Sequence, residues 1–125
     1  IITTTQNIIN DAKSILDTID EIFYITKSTS SRYMNVQIYI SAKNNMTIYK
    51  DMTSTNFYAA KSSLSLLESA LSIAKSTSSI QLTSIKDVQS KSRNTLYSLY
   101  TLLDAATTAV NNSIDGTDLS LSTIQ

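Results

Sequence analysis

The stretch NFYAAKSSLSLLESALSIAKS, residues 56–76, decides the fold class. Its apolar side chains recur at alternating spacings of three and four residues, which places them on one side of a helix. The row consists of Phe57, Ala60, Leu64, Leu67, Leu71 and Ala74. The pattern therefore predicts a long amphipathic helix over 56–76.

Two further stretches carry a similar periodicity and predict helices over about 5–27 and 83–111. In the first, the apolar positions are Ile8, Ala12, Ile15, Ile19 and Ile22, with Ile9, Leu16 and Phe23 beside them. In the second, they are Ile85, Val88, Leu96, Leu99, Leu103, Ala106 and Val110, with Ser92 as a polar step in the row.

Residues 32–52 are ambiguous between helix and strand. The segment 34–40 alternates with period two and is rich in strand-forming residues, and a hairpin returning through 46–49 is one interpretation. An isolated hairpin is only marginally stable, and nothing else in the chain predicts further strands. We therefore expect a helix over 32–52.

An internal repeat supports that expectation. Residues 12–31 resemble residues 60–79 at an offset of 48, and the similarity resumes at 47–49 against 95–97. A fixed offset over two blocks indicates a duplicated structural unit, here a helical hairpin. Aligned this way, residues 32–52 correspond to the first part of the last helix.

Polar clusters at 27–31, 53–56 and 75–83 predict short connections, and short connections force neighbouring helices to be antiparallel. The sequence thus predicts an all-α fold, an antiparallel four-helix bundle formed as a single domain by residues 1–112. From residue 113 the pattern decays, and we expect 113–125 to be a loosely ordered tail.

Composition excludes several classes of function. The chain has no histidine, cysteine or proline and one glycine, so the commonest general base, thiol chemistry and glycine-rich phosphate loops are missing. We expect no enzyme activity, no cofactor and no metal. Ten basic and ten acidic residues cancel without a basic cluster, which argues against nucleic acid as a partner. No apolar run is long enough to span a membrane.

Three acidic residues close together, Asp17, Asp20 and Glu21, are the strongest candidate for a cation site. A solvated acidic patch is the favoured interpretation, because no loop supplies further oxygen ligands. Asn45 and Asn111 begin sequences that fit the acceptor pattern for N-glycosylation, a weak signal in a chain this rich in Asn, Ser and Thr.

Aromatic and sulfur-containing residues have two interpretations. Tyrosines at the core boundary would bury the ring and leave the hydroxyl wet, whereas tyrosines on the surface would form a recognition site. We favour the boundary role for the seven tyrosines: Tyr24, Tyr33, Tyr39, Tyr49, Tyr58, Tyr97 and Tyr100. Met34, Met46 and Met52 are expected to fill the core.

The predicted outer faces are dominated by hydroxyl groups, since 38 of 125 residues are Ser or Thr. With little charge to repel other molecules, such a surface suits self-association or contact with a protein partner. The leading hypothesis is a non-enzymatic structural or interaction protein, outside the cytoplasm or on a cell or virion surface. The alternative is a carrier that holds a small apolar ligand between its helices.

Overall fold

The computed structural model describes residues 2–26, 46–76 and 81–114 of the chain. They form three α-helices: α1 spans Ile2–Phe23, α2 spans Met46–Ser76 and α3 spans Leu82–Ile114. At 1.5 Å per residue, their 22, 31 and 33 residues measure about 33, 46 and 50 Å. Within these ranges there is no strand, which confirms the all-α class.

Helices α2 and α3 pack along most of their length as an antiparallel pair joined through residues 77–81. At the middle of the pair, Ser63 Oγ lies 2.9 Å from Ser98 Oγ. Hydroxyl groups this close require the two helix axes to approach closely, which the short side chains of the two serines themselves allow.

Helix α1 packs against both members of this pair, more extensively against α2. Lys13 Nζ lies 3.2 Å from a carboxylate oxygen of Glu68, and Lys50 Nζ lies 3.9 Å from the centre of the Tyr24 ring. The middle of α1 therefore contacts the later part of α2, and the residue just past the end of α1 contacts the start of α2. It follows that α1 is antiparallel to α2 and runs in the same direction as α3.

A single seam of buried side chains joins the three helices. Apart from Asp20, Ala70 and Ala105, which are also buried, the buried positions are spaced alternately four and three residues apart, the 3.5-residue period that keeps one side of a helix facing its neighbour. They are Thr5, Ile9, Ala12, Leu16, Ile19 and Phe23 in α1, Thr53, Phe57, Ala60, Leu64, Leu67, Leu71 and Ala74 in α2, and Val88, Ser92, Thr95, Leu99, Leu102, Ala106 and Ala109 in α3. The row predicted for residues 57–74 is confirmed in full.

The rows predicted for the other two helices are shifted. In α3, Thr95 and Leu102 are fully buried, while the neighbouring Leu96 and Leu103 are 49% and 42% exposed. The sequence prediction chose the most apolar residue in each turn of α3. In the structure, the buried residues instead recur every 3.5 residues, whether they are apolar or not. In α1 the same rule buries Leu16 and leaves Ile15 only partly buried.

The end of α1 is fixed by a buried acid. Asp20 Oδ1 accepts a hydrogen bond of 2.7 Å from the Thr26 backbone N–H, and Asp20 Oδ2 accepts one from the Thr26 hydroxyl. Between them, Tyr24 adopts a positive φ of 39°, a left-handed conformation that terminates the helix. Glycine normally takes this position at low cost, so the Asp20 contacts hold a tyrosine where it is intrinsically unfavourable.

The connection predicted at 53–56 is wrong, because α2 continues through it without interruption. The Thr53 side chain is fully buried in the seam, and Asn56 Nδ2 donates to the Met52 carbonyl oxygen at 2.8 Å. Polar side chains that bond within their own helix do not end it, although their clustering resembles a loop signal. The hairpin interpretation also fails over 46–49, which are helical.

A four-helix bundle is not shown, because the described residues form three helices. Residues 46–52 of the predicted second helix belong to α2, and 32–45 lie outside the described residues. Of the repeated blocks, 47–49 lie at the start of α2 whereas 95–97 lie in the middle of α3. None of the helices in the described ranges is long and apolar enough to cross a membrane.

Candidate functional site

The outer surfaces of the three helices differ sharply in polarity. The outward positions of α1 are polar, with Asn7, Asp11, Ser14 and Thr18 on one line. All large exposed apolar side chains of the described residues lie instead on α2 and α3. A contiguous exposed apolar patch marks a site of contact, so a functional surface is expected on α2 or α3.

The densest group lies at the middle of α3. It consists of Leu96, Tyr97, Tyr100 and Leu103, which are 49%, 73%, 69% and 42% exposed. With 3.6 residues per turn, these four side chains project within about 120° of the helix circumference. We call this group the α3 stripe.

Opposite charges stand at the two ends of the α3 stripe. Arg93 precedes it by one turn, Asp104 follows Leu103, and both are exposed. Neither side chain forms an ion pair within the described part of the chain. Both project from the same edge of the stripe as Tyr97, while Leu96 and Leu103 form the other edge.

A second apolar row lies on α2 and is more dispersed. Met52, Ala59, Leu66 and Ile73 are exposed at intervals of seven residues. Along this row the exposed neighbours Thr55, Ser62 and Ser69 are uncharged. Asp51 lies beside Met52 at the start of the row, but Lys75 near its end lies on the opposite side of the helix. The row therefore offers apolar contact without a charge pattern that would select an orientation.

The α1–α2 interface contains an open cleft of about 280 Å³. Its base includes Phe57 and Leu64, and its rim includes Lys13, Lys61 and Glu68. A neighbouring cleft of about 190 Å³ lies on the other side of Glu68. The larger cleft has an apolar base below a charged rim and the smaller one is mainly polar, and both are open to solvent, so neither is an enclosed apolar cavity between the helices.

The three acidic residues near the end of α1 do not form the solvated patch expected from sequence. Asp17 is exposed, Glu21 is half-buried and Asp20 is buried with Thr26 as its partner. Asp20 therefore has a structural role at the helix end. Among the described residues, no group of three acidic side chains is placed to hold a metal ion.

The tyrosine prediction is wrong for the two residues of the α3 stripe. Tyr97 and Tyr100 are not at the core boundary, because more than two-thirds of each residue is exposed. Tyr24 is half-buried, as a boundary residue would be, and Tyr58 is 49% exposed. Tyr33 and Tyr39, and the side chain of Tyr49, lie outside the described residues.

Met52 is 47% exposed, which contradicts a core-filling role, whereas Met34 and the Met46 side chain are outside the described part. Of the two glycosylation candidates, Asn111 lies exposed near the end of α3. Asn45 lies outside the described residues.

The sequence feature that could have indicated the α3 stripe is the adjacent pair Leu96-Tyr97. Apolar periodicity places Leu96 in the core row, so it does not reveal that the pair is exposed.

Comparison with known proteins gave no match to any protein family, to any curated protein or to any solved structure.

Proposed function

We propose that this chain is a non-enzymatic interaction protein that binds a protein partner through the outer face of α3. The observation that carries the proposal is the exposure of Leu96, Tyr97, Tyr100 and Leu103 side by side on one face of α3. Tyrosine is enriched in protein interfaces because it supplies a large contact area with little side-chain entropy to lose. Leucines on both sides of such residues would exclude water from the centre of a contact.

The packing of the buried residues beneath the α3 stripe also favours binding. Beneath it, Leu99 and Leu102 are packed in the seam, and Thr95 is tied to α2, so the exposed residues are held by buried neighbours in the same turns. A preorganised surface loses less conformational entropy on binding than a loop would. The polar outer face of α1 would stay in contact with water.

Site-specific photo-crosslinking tests this proposal. The chain carrying p-benzoylphenylalanine in place of Tyr100 is irradiated in an extract of its source, and adducts are identified by mass spectrometry. The matched control carries the same group in place of Asp11, which is exposed on the polar face of α1.

We expect one reproducible protein adduct from position 100 and none from position 11. Unlabelled wild-type protein should compete for an adduct with a different protein, or be captured itself where the partner is another copy of this chain, whereas protein carrying both Tyr97→Ser and Tyr100→Ser should do neither. Equal labelling from positions 100 and 11, or no adduct from position 100, would refute the proposal.

A further inference from the structure

We propose that the partner of the α3 stripe is a second copy of this chain, packed antiparallel across a two-fold axis. This inference rests on the proposed function, because it assumes that the stripe is a binding surface. The evidence for a second copy is separate from the evidence for the binding surface. It is the order of charged and apolar residues along α3, which matches the same order read in reverse on a second copy.

A two-fold interface requires that if residue i contacts residue j of the partner, then j also contacts i. Place the axis perpendicular to α3, halfway between positions 98 and 99. Tyr97 then comes level with Tyr100 of the second copy, and Arg93 comes level with Asp104 of the second copy. Because the two-fold axis relates the two copies, each of these contacts occurs twice in the dimer.

The edges of the stripe agree with this arrangement. A two-fold axis perpendicular to two antiparallel helices makes each edge of one helix face the same edge of the other. Arg93 and Asp104 share one edge, so opposite charges meet, while Leu96 and Leu103 share the other, so apolar side chains meet. Helices packed 8–10 Å apart, about the usual distance, leave these side chains within reach of each other.

Charge selects this pairing over the others. A parallel pair in register would place Arg93 against Arg93 and Asp104 against Asp104, which is repulsive. The α2 row is also apolar and exposed, but its neighbouring charge, Asp51, stands at one end only, so it lacks the complementary pair that would select a register. A net charge of zero means that two copies do not repel each other over long distances.

Sedimentation equilibrium of the full chain, wild type and variants, tests the proposal. Arg93→Glu and Asp104→Arg each place like charges together at two points of the dimer, so each should raise the dimer Kd by about tenfold or more. An equimolar mixture of the two variants should restore wild-type affinity, because in the mixed dimer every facing pair is again opposite. Circular dichroism checks that each variant stays helical.

Two matched controls accompany the experiment. Asp11→Arg reverses an exposed charge on α1, and Leu66→Ser removes an exposed apolar side chain from the α2 row; neither should change the Kd. If an equimolar mixture of Arg93→Glu and Asp104→Arg did not regain the affinity of the wild type, the antiparallel register would be overturned. A loss of affinity with Leu66→Ser would assign the interface to α2.

A wild-type chain that stays monomeric at the highest accessible concentration would overturn the second copy as occupant. The proposed function fails separately, since it depends on the crosslinking result: an adduct with a different protein would keep the binding surface and reject only self-association. An adduct between two copies of this chain would support both.

Discussion

The Thr95 hydroxyl donates a hydrogen bond across the helix interface to the Ser63 carbonyl oxygen, 3.2 Å away. The same hydroxyl lies 2.8 Å from the Lys91 carbonyl oxygen in its own helix. Because Thr95 is fully buried, its hydroxyl cannot bond to bulk water, and these two carbonyl groups serve as its hydrogen-bond partners in the seam. A threonine can therefore occupy a core position where an apolar residue would be expected.

Replacing that hydroxyl should destabilise the fold without opening a cavity. We expect Thr95→Val, which keeps nearly the same shape, to lower the free energy of unfolding by about 1 kcal/mol. Thr101→Val is the control, since its hydroxyl bonds to the Tyr97 carbonyl oxygen within α3 at an exposed position. Urea unfolding followed by circular dichroism measures both, and equal losses for the two variants would contradict a role for the contact between helices.

The close approach of the helices should make small residues in the seam intolerant of larger ones. Ala60 is fully buried whereas the adjacent Ala59 is exposed, and the two differ only in the direction they face. We expect Ala60→Leu to cost about 1–3 kcal/mol through overpacking, and Ala59→Leu to stay within about 0.5 kcal/mol of wild type. Thermal unfolding of the pair tests this, and similar midpoints would mean that α2 does not face α1 and α3 as described.

The buried acid at the end of α1 gives a third prediction. Asp20→Ala leaves the Thr26 backbone N–H without its acceptor and the positive φ of Tyr24 without support. We expect a loss of about 1–3 kcal/mol in the free energy of unfolding, with faster amide exchange at residues 24–26. Asp11→Ala removes an exposed carboxylate from the same helix and should have little effect. A result for Asp20→Ala matching that control would contradict the structural role.

The fold class could be predicted from sequence because residues 57–74 carry an apolar row that only a helix places on one side. The boundaries of α2 could not, because polar residues at 53–56 read as a loop by composition, while Thr53 belongs to the seam. Local composition does not reveal whether a hydroxyl side chain has a partner in a neighbouring helix.

The functional surface was harder to predict for a related reason. Periodicity shows that Leu96, Leu99, Leu102 and Leu103 lie along α3, but it does not show which of them face a neighbour. With four leucines in eight positions, either a 3.6-residue or a 3.5-residue row could be drawn. Once the packing buries Leu99 and Leu102, the remaining two join Tyr97 and Tyr100 on the outside.

The adjacent residues Leu102 and Leu103 separate folding from binding in one experiment. Leu102 is fully buried and Leu103 is 42% exposed, and leucine and alanine have similar helix propensities. We expect Leu102→Ala to cost about 2–5 kcal/mol through the cavity it leaves, whereas Leu103→Ala should change the stability of a single copy by no more than about 0.5 kcal/mol. Unfolding must be measured at dilution, because association stabilises the folded state more as the concentration rises. Leu103→Ala should nevertheless weaken binding through the α3 stripe in the crosslinking or sedimentation assay. If Leu103→Ala destabilised the diluted chain as strongly as Leu102→Ala, Leu103 would belong to the core, and the α3 stripe would lose the residue that closes one of its edges.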